Sequence, residues 1–132
     1  MNDKHFEIRS SYESDRNFIY STWLRGLYYG NDWFKEIPSD IFYKNYQLVI
    51  DEILKRPKTQ ISITCLIDDK DVILGYSVFE ESTLHYIFVK DSWRKMGIAK
   101  MLAPNPITVC THLTSVGKNL KKKYNIIFNP FI

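Results

Sequence analysis

The spacing of apolar and polar residues changes several times along the chain, and each change predicts a new element. Residues 5–9 alternate, which predicts a short strand. Apolar residues then recur at helical spacing before Gly30 and again over 39–56, which predicts two amphipathic helices. Ser10 and Glu13 have the spacing of a capping box at the start of the first helix, and Pro57 ends the second. Alternation returns over 61–67, 72–79 and 83–90, and the short turns between these segments predict an antiparallel meander.

The last third of the chain predicts shorter elements. A loop leads into a helix that Pro104 and Pro106 end after about two turns. A strand over 107–111, a helix from Thr114 or Ser115 to about Tyr124 and a short strand over 126–128 follow. The predicted order β-α-α-β-β-β-α-β-α-β is that of a mixed α/β (α+β) fold, and residues 1–132 are long enough for one domain.

Composition narrows the class of protein further. Two cysteines among 132 residues exclude a disulfide scaffold and a four-cysteine zinc site. A net charge of +3 permits anionic ligands but falls short of the basic surplus of a nucleic-acid module, so we expect no nucleic-acid partner. The polar start and the absence of a long apolar run predict a cytoplasmic protein without a membrane partner, in which Cys65 and Cys110 are free thiols.

The segment that follows the third strand of the meander has the properties of an anion site. It runs through seven consecutive residues, Arg94, Lys95, Met96, Gly97, Ile98, Ala99 and Lys100. A helix start presents backbone N–H groups that lack partners within the helix, together with the positive end of the helix dipole. Gly97 leaves room for a phosphate to approach the backbone, and three basic side chains surround it without an intervening carboxylate.

Arg94-x-x-Gly97-x-Ala99 resembles the acetyl-CoA signature of the GNAT superfamily of N-acyltransferases, Gln/Arg-x-x-Gly-x-Gly/Ala. Ile87-Phe88-Val89 precedes it at the family's spacing, and the order of elements fits from residue 5 to about 128. The resemblance implies acetyl-CoA as cosubstrate, with its pantetheine arm along the backbone of Ile87 and Val89 and its pyrophosphate on the N–H groups of Lys95–Lys100. It also implies that strands 83–90 and 107–111 run parallel but splay apart, and that Thr114 faces the pantetheine.

Transfer of an acetyl group to a primary amine requires that the amine lose a proton and that the departing thiolate gain one. Many family members carry a tyrosine as this acid on the helix after the second splayed strand, whereas here the nearest tyrosine is Tyr124. Residues on the two strands are therefore the candidates, and we rank them Tyr86, His112 and His85. Glu80 and Glu81 are possible bases, but we expect them to lie in a solvated hairpin.

The resemblance leaves the function open between two classes. The main interpretation is an acetyl-CoA-dependent N-acetyltransferase whose amine acceptor is a small molecule or a protein. The alternative is a catalytically degenerate GNAT-fold protein kept for binding or assembly, which the missing tyrosine and the short C-terminal end favour. A third interpretation, modification of a nucleic-acid base, rests on the mild positive charge alone. A homodimer is compatible with each of them.

Overall fold

The protein folds around one mixed β-sheet. A computed structural model describes residues 5–94, 96–112, 118, 122 and 125–132. The sheet contains, in chain order, β1 (Phe6–Ser10), β2 (Gln60–Leu66), β3 (Ile73–Glu80), β4 (Thr83–Val89), β5 (Val109–Cys110) and β6 (Ile127–Phe128). The helices of these ranges are α1 (Arg16–Gly30), α2 (Ser39–Lys55) and α3 (Ile98–Leu102).

The order of the strands in the sheet follows the chain, β1-β2-β3-β4-β5-β6. Strands β1 to β4 pair antiparallel, which confirms the predicted meander, and β4–β5 and β5–β6 pair parallel. The predicted α/β (α+β) class is thereby confirmed. Strand β5 is shorter than the predicted 107–111, and most of the helix predicted from 114 to about 124 lies outside the described residues.

Two apolar cores lie on opposite faces of the sheet. Helices α1 and α2 cover one face, where residues such as Trp23 and Ile50 pack against Tyr76 and Tyr86. Helix α3 covers the other face, and its Leu102 packs in a second cluster. A sheet buried on both faces explains why β3 is apolar along most of its length rather than strictly alternating.

A β-bulge in β4 changes which face its side chains reach. The register with β3 shifts between Val78 and Phe79, so His85 is the extra residue of β4. Leu84 and Tyr86 would share a face in a regular strand, because side chains alternate. They lie instead in different cores, Leu84 on the α3 side and Tyr86 on the α1–α2 side.

The start of α1 corrects the predicted capping box. Asp15, rather than Ser10 or Glu13, accepts the backbone N–H of Tyr12 at 2.6 Å, and it pairs with Arg9 at 2.8 Å. The side chains of Arg9 and Asp15 are 8% and 6% exposed. Asp15 therefore takes the role that spacing alone gave to Glu13, because it also neutralises the half-buried Arg9.

Cys65 and Cys110 are both buried and are not joined in a disulfide. Among the helices of the described ranges, none has the length and apolar character required to cross a membrane.

Candidate functional site

Backbone pairing between β4 and β5 is described for a short stretch at the start of β4. Thr83 pairs with Val109 and Leu84 with Cys110, and the backbone N–H of Thr111 donates to the Leu84 carbonyl at 3.0 Å. At the next step, the carbonyl of His85 accepts from the Nδ1 of the His112 side chain, at 3.0 Å. The His112 imidazole thus bonds the backbone of β4 directly after the last described backbone bond between the two strands, next to the bulge.

In the second half of β4, the backbone groups of alternate residues point toward β3 and away from it. Phe88 pairs with Tyr76, and the N–H of Lys90 donates to the Leu74 carbonyl at 2.8 Å, so these residues direct their backbone groups toward β3. Backbone groups alternate between the two edges of a strand, which leaves those of Ile87 and Val89 on the opposite edge. This is the orientation that the resemblance implies for residues along a pantetheine arm.

Arg94 contributes to this edge in an unexpected way. Its Nε donates to the carbonyl of Val89 at 3.0 Å, and its guanidinium pairs with Asp91 at 2.7 Å. The carboxylate that balances Arg94 therefore comes from before the motif, which itself contains none. Arg94 ties the loop to the end of β4.

Gly97 adopts the backbone conformation that favours glycine. Its φ is +79°, in the left-handed region, and it directly precedes the first residue of α3. A Cβ built on Gly97 would meet no atom of the described residues beyond its chain neighbours, so the space in front of the turn is open among them. Ile98 is buried and anchors α3, whereas Met96 and Lys100 are exposed and Ala99 is half-buried. Lys95 and Thr114, both predicted to bind the cofactor, lie outside the described residues.

The other end of α3 is fixed to the sheet. The hydroxyl of buried Ser77 donates to the carbonyl of Leu102 at 2.7 Å. Gly75 makes this packing close, since a Cβ there would lie 2.5 Å from the Phe88 carbonyl oxygen and 3.3 Å from Leu102 Cδ1. A cavity of about 410 Å³ follows the connection from α3 to β5, lined by Lys100, Ala103, Pro104, Asn105, Pro106 and Ile107.

Tyr86, the first-ranked catalytic candidate, lies in the core beneath α1. It is 2% exposed, its ring stacks on Trp23, and its hydroxyl donates to the Thr22 carbonyl at 3.3 Å. Burial raises the pKa of Tyr86. The phenol therefore keeps its proton and contacts helix backbone, which suits packing better than proton transfer.

His85 lies at the centre of a buried polar cluster. It is 0% exposed, with Nε2 2.7 Å from Glu80 Oε1 and Nδ1 2.9 Å from Thr111 Oγ1. Burial lowers the pKa of His85, and the hydrogen bond to Glu80 opposes this only in part. Burial also acts to raise the pKa of Glu80, but bonds from His85 and Arg56 outweigh it and the pKa is lowered. The cluster thus holds a neutral imidazole against an ionised carboxylate.

His112 connects this cluster with an aromatic wall. Its Nδ1 lies 2.9 Å from Thr111 Oγ1, and its ring meets Trp23 and Tyr46 edge-on with centroids 5.4 and 5.7 Å apart. Burial, followed by the proximity of His85, lowers the pKa of His112 to about 4. His112 is therefore neutral at physiological pH and able to accept a proton or a hydrogen bond.

The sequence analysis did not place Glu80 or Thr111 in this cluster. Glu80 was expected in a solvated hairpin, whereas it reaches back across the turn to His85, and its side chain is only 23% exposed. Thr111 was recognised only as part of a strand. The bulge that brings His85 toward β5 leaves no periodic signal in the sequence, because it depends on the pairing of β4 with β3.

Comparison with known proteins gives structural but no sequence relatives. No family model matches the chain, and no curated protein matches its sequence. Among solved structures, a proposed acetyltransferase from Pyrococcus furiosus matches with a TM-score of 0.70 at 11% identity, covering 96% of each chain. A ribosomal-protein-alanine N-acetyltransferase from Brucella melitensis matches with a TM-score of 0.56 at 11% identity, covering 96% of this chain and 95% of that one.

A third solved structure contains a bound ligand. It is the aminoglycoside N-acetyltransferase AAC(6')-Iy in complex with the bisubstrate analogue CoA-S-monomethyl-acetylneamine. The TM-score is 0.51 at 15% identity, with 93% of this chain and 91% of that chain covered. At these identities the matches show a shared fold: the chain has the fold of the GNAT acetyltransferases.

Proposed function

We propose that the protein is an acetyl-CoA-dependent N-acetyltransferase that acts on a primary amine. The observation that carries this proposal is the left-handed turn at Gly97, which lies between β4 and α3 and directly precedes α3. The turn offers backbone N–H groups in front of open space, and the backbone groups of Ile87 and Val89 point away from β3, where a pantetheine amide could pair. The fold shared with a structure that binds a CoA bisubstrate analogue supports the same site.

The proposed roles of the cofactor-binding residues follow from this geometry. Backbone groups of Ile87 and Val89 pair with the pantetheine arm, and Phe88 between them packs toward α1 against Phe18. The turn from Lys95 to Lys100 holds the pyrophosphate through N–H groups, with Lys100 adding charge. Thr114 remains a proposed contact to the pantetheine.

The reaction needs few groups of the protein. The amine nitrogen, once unprotonated, attacks the carbonyl carbon of the thioester; the C–N bond forms, the C–S bond breaks, and the sulfur leaves as a thiolate that takes up a proton. His112 is the candidate that combines a neutral imidazole with a place where the described pairing of β4 with β5 ends. Tyr86 and His85 remain lower candidates, because the hydroxyl and both ring nitrogens already have partners within the protein.

Calorimetry with acetyl-CoA and mass spectrometry of products test this proposal. We expect micromolar binding of acetyl-CoA, and a mass gain of one acetyl group on at least one of three amines: spermidine, a peptide with a free amino terminus, or the aminoglycoside kanamycin. If acetyl-CoA binds but neither acetyl transfer nor thioester hydrolysis is detected, the result favours the catalytically degenerate alternative. If acetyl-CoA does not bind, the proposed function is wrong, although the fold remains.

A further inference from the structure

Three short contacts link four side chains into one continuous path. The side chains come from the end of β3, from β4 and from the two residues that follow β5. His112 Nδ1 lies 2.9 Å from Thr111 Oγ1, which lies 2.9 Å from His85 Nδ1, and His85 Nε2 lies 2.7 Å from Glu80 Oε1. His85 and Thr111 are 0% and 3% exposed. Glu80 is partly exposed, so the chain of contacts leads from the His112 ring beside Trp23 and Tyr46, through the interior, to the surface.

The chemistry of the two ends fixes where each hydrogen lies. The His85 carbonyl can only accept, so the His112 Nδ1 that lies 3.0 Å from it carries hydrogen. At the other end the ionised Glu80 can only accept, so His85 Nε2 carries hydrogen and its Nδ1 has a lone pair. The Thr111 hydroxyl then donates to His85 Nδ1, and its contact with the His85 carbonyl is longer, at 3.5 Å. The single His112 Nδ1–H lies within hydrogen-bond distance of both the His85 carbonyl and Thr111 Oγ1, so these two acceptors share it. Both ends thus require the same direction of hydrogen bonds.

This direction leaves the Nε2 of His112 as a lone pair, on the ring that meets Trp23 and Tyr46. We propose that Glu80, His85, Thr111 and His112 form a proton relay, through which the proton lost by the acceptor amine travels from His112 Nε2 to Glu80 and then to water. The proposal rests on the proposed acetyltransferase function and goes beyond it, because it assigns the path of the proton and two residues, Glu80 and Thr111, to that path.

Each transfer in the relay conserves atoms and charge. As the amine nitrogen bonds to the acetyl carbon, its N–H proton passes to His112 Nε2. The Nδ1 proton of His112 moves to Thr111 Oγ1, and the Thr111 hydroxyl proton moves to His85 Nδ1. The Nε2 proton of His85 passes to Glu80, whose neutral carboxyl then releases it to water. Passage in the reverse direction restores the starting arrangement: Glu80 takes a proton from water, each hydrogen of the relay moves back, and His112 Nε2 gives its proton to the departing thiolate. No oxidant or further reactant is needed.

The charged groups around the relay suit a path rather than a proton store. Arg56 directly follows α2 and pairs with Glu80 at 2.9 Å and with Glu52 of that helix at 2.8 Å. Arg56 and Glu52 are the charged groups on this side of Glu80. Arg56 favours the ionised form of Glu80, so a proton that arrives there leaves readily. Tyr46 faces His112 from the same helix, and its pKa is raised by burial, so it is neutral beside the ring.

Nitrogen-15 NMR of the imidazole rings tests the arrangement directly. The chain has three histidines, and exposed His5 serves as the internal reference for exchange between tautomers. We expect His112 to carry its proton on Nδ1 and His85 on Nε2 at neutral pH. If His112 carries it on Nε2, or His85 on Nδ1, the relay is interrupted in the resting protein and the proposal is wrong.

A kinetic comparison of variants tests whether the reaction uses the relay. The acceptor is whichever of spermidine, the peptide and kanamycin is acetylated fastest, or water when none of the three reacts. Thr111→Val keeps the shape of the side chain and removes the hydroxyl, so we expect kcat to fall about 10²-fold while KM for acetyl-CoA stays unchanged. Thr111→Ser should restore most of that loss, because it returns a hydroxyl. Glu80→Gln should lower kcat as well, whereas Glu52→Gln, the neighbouring carboxylate outside the relay, should not.

The outcomes separate the relay from the function on which it rests. Wild-type kcat in both Thr111→Val and Glu80→Gln, with acetyl transfer intact in the wild type, overturns the relay and leaves the acetyltransferase standing. If the wild-type protein does not bind acetyl-CoA, the proposed acetyltransferase function is overturned instead. The NMR measurement still decides whether the hydrogens are arranged as argued. If Thr111→Val does not fold, the comparison of Glu80→Gln with Glu52→Gln decides.

Discussion

The ring of Tyr86 lies flat on the indole of Trp23, with centroids 4.9 Å apart and planes inclined by 13°. This stack joins β4 to α1 at the level where β4 bulges. It also places the Tyr86 hydroxyl directly beneath Gly26 of α1, where no side chain could stand without meeting it. The relationship explains a glycine inside a helix, where glycine usually costs stability.

Gly26 and Tyr86 should therefore depend on each other. Gly26→Ala would gain up to about 1 kcal/mol from helix propensity, but the added methyl would meet the Tyr86 hydroxyl in a packed core, and overpacking costs typically about 1–3 kcal/mol. We expect the single variant to be destabilised and Gly26→Ala/Tyr86→Phe to recover at least that loss. Urea unfolding of the four proteins measures the coupling, and additive effects would contradict the contact.

Tyr86→Phe should also show whether the phenol takes part in catalysis. Its hydroxyl makes one long bond to a helix carbonyl, so we expect the variant to fold and to keep a rate close to that of the wild type. A fall of about 10² or more would restore Tyr86 as the general acid, as first ranked from the sequence. Steady-state rates with acetyl-CoA and the reacting amine decide between these roles.

Replacement of Gly97 should abolish binding of acetyl-CoA. Gly97→Val places a branched side chain in the space before the turn and imposes a positive φ on a β-branched residue. Gly30→Val is the matched control, because Gly30 also faces open space but has no positive φ. Calorimetry should show loss of binding in the first variant only. Equal affinity in both would separate the turn from the cofactor site.

Neutral burial of His112 predicts a pH dependence of stability. Its pKa is about 4 in the folded protein and near the ordinary value of 6.5 when unfolded, so between these values the unfolded chain binds more protons. Stability should therefore fall as the pH falls from 6.5 toward 4, by about 2 kcal/mol between pH 7.5 and 5. His112→Gln cannot titrate, and its unfolding free energy should depend less on pH over that interval. Parallel curves for the two proteins would contradict a buried neutral imidazole.

The ion pair of Arg9 and Asp15 predicts a dependence at lower pH. Burial acts to raise the pKa of Asp15, but the hydrogen bonds from Arg9 and Tyr12 outweigh it, so the pKa lies below its usual value. The stability that this lowered pKa contributes is present above the unfolded pKa and is lost as the pH falls through the folded one. Asp15→Ala, which leaves Arg9 without its partner, should cost about 3–5 kcal/mol at pH 7 by urea unfolding. Glu13→Ala is the control and should cost far less.

Periodicity and proline positions were sufficient to predict the order of the described elements. The glycine motif was sufficient to predict the turn before α3. Helical spacing identified Ile19 and Trp23 as buried, and alternation identified the meander, because one-sided burial imposes those periods on the chain. A resemblance of six residues indicated the fold that the structure shares with acetyltransferases. These features are local, or repeat at short distance, and so they can be recognised without coordinates.

Tertiary structure decided which polar groups meet. His85 leaves the regular alternation because of a bulge that exists only in the pairing of β4 with β3, and the same bulge separates Leu84 from Tyr86. Glu80, His85, Thr111 and His112 come together from a hairpin and from a strand about 26 residues away in sequence, through contacts of hydrogen-bond length. No periodic pattern encodes such contacts, because the direction of a single side chain depends on register, and register is set by the packing of the whole sheet.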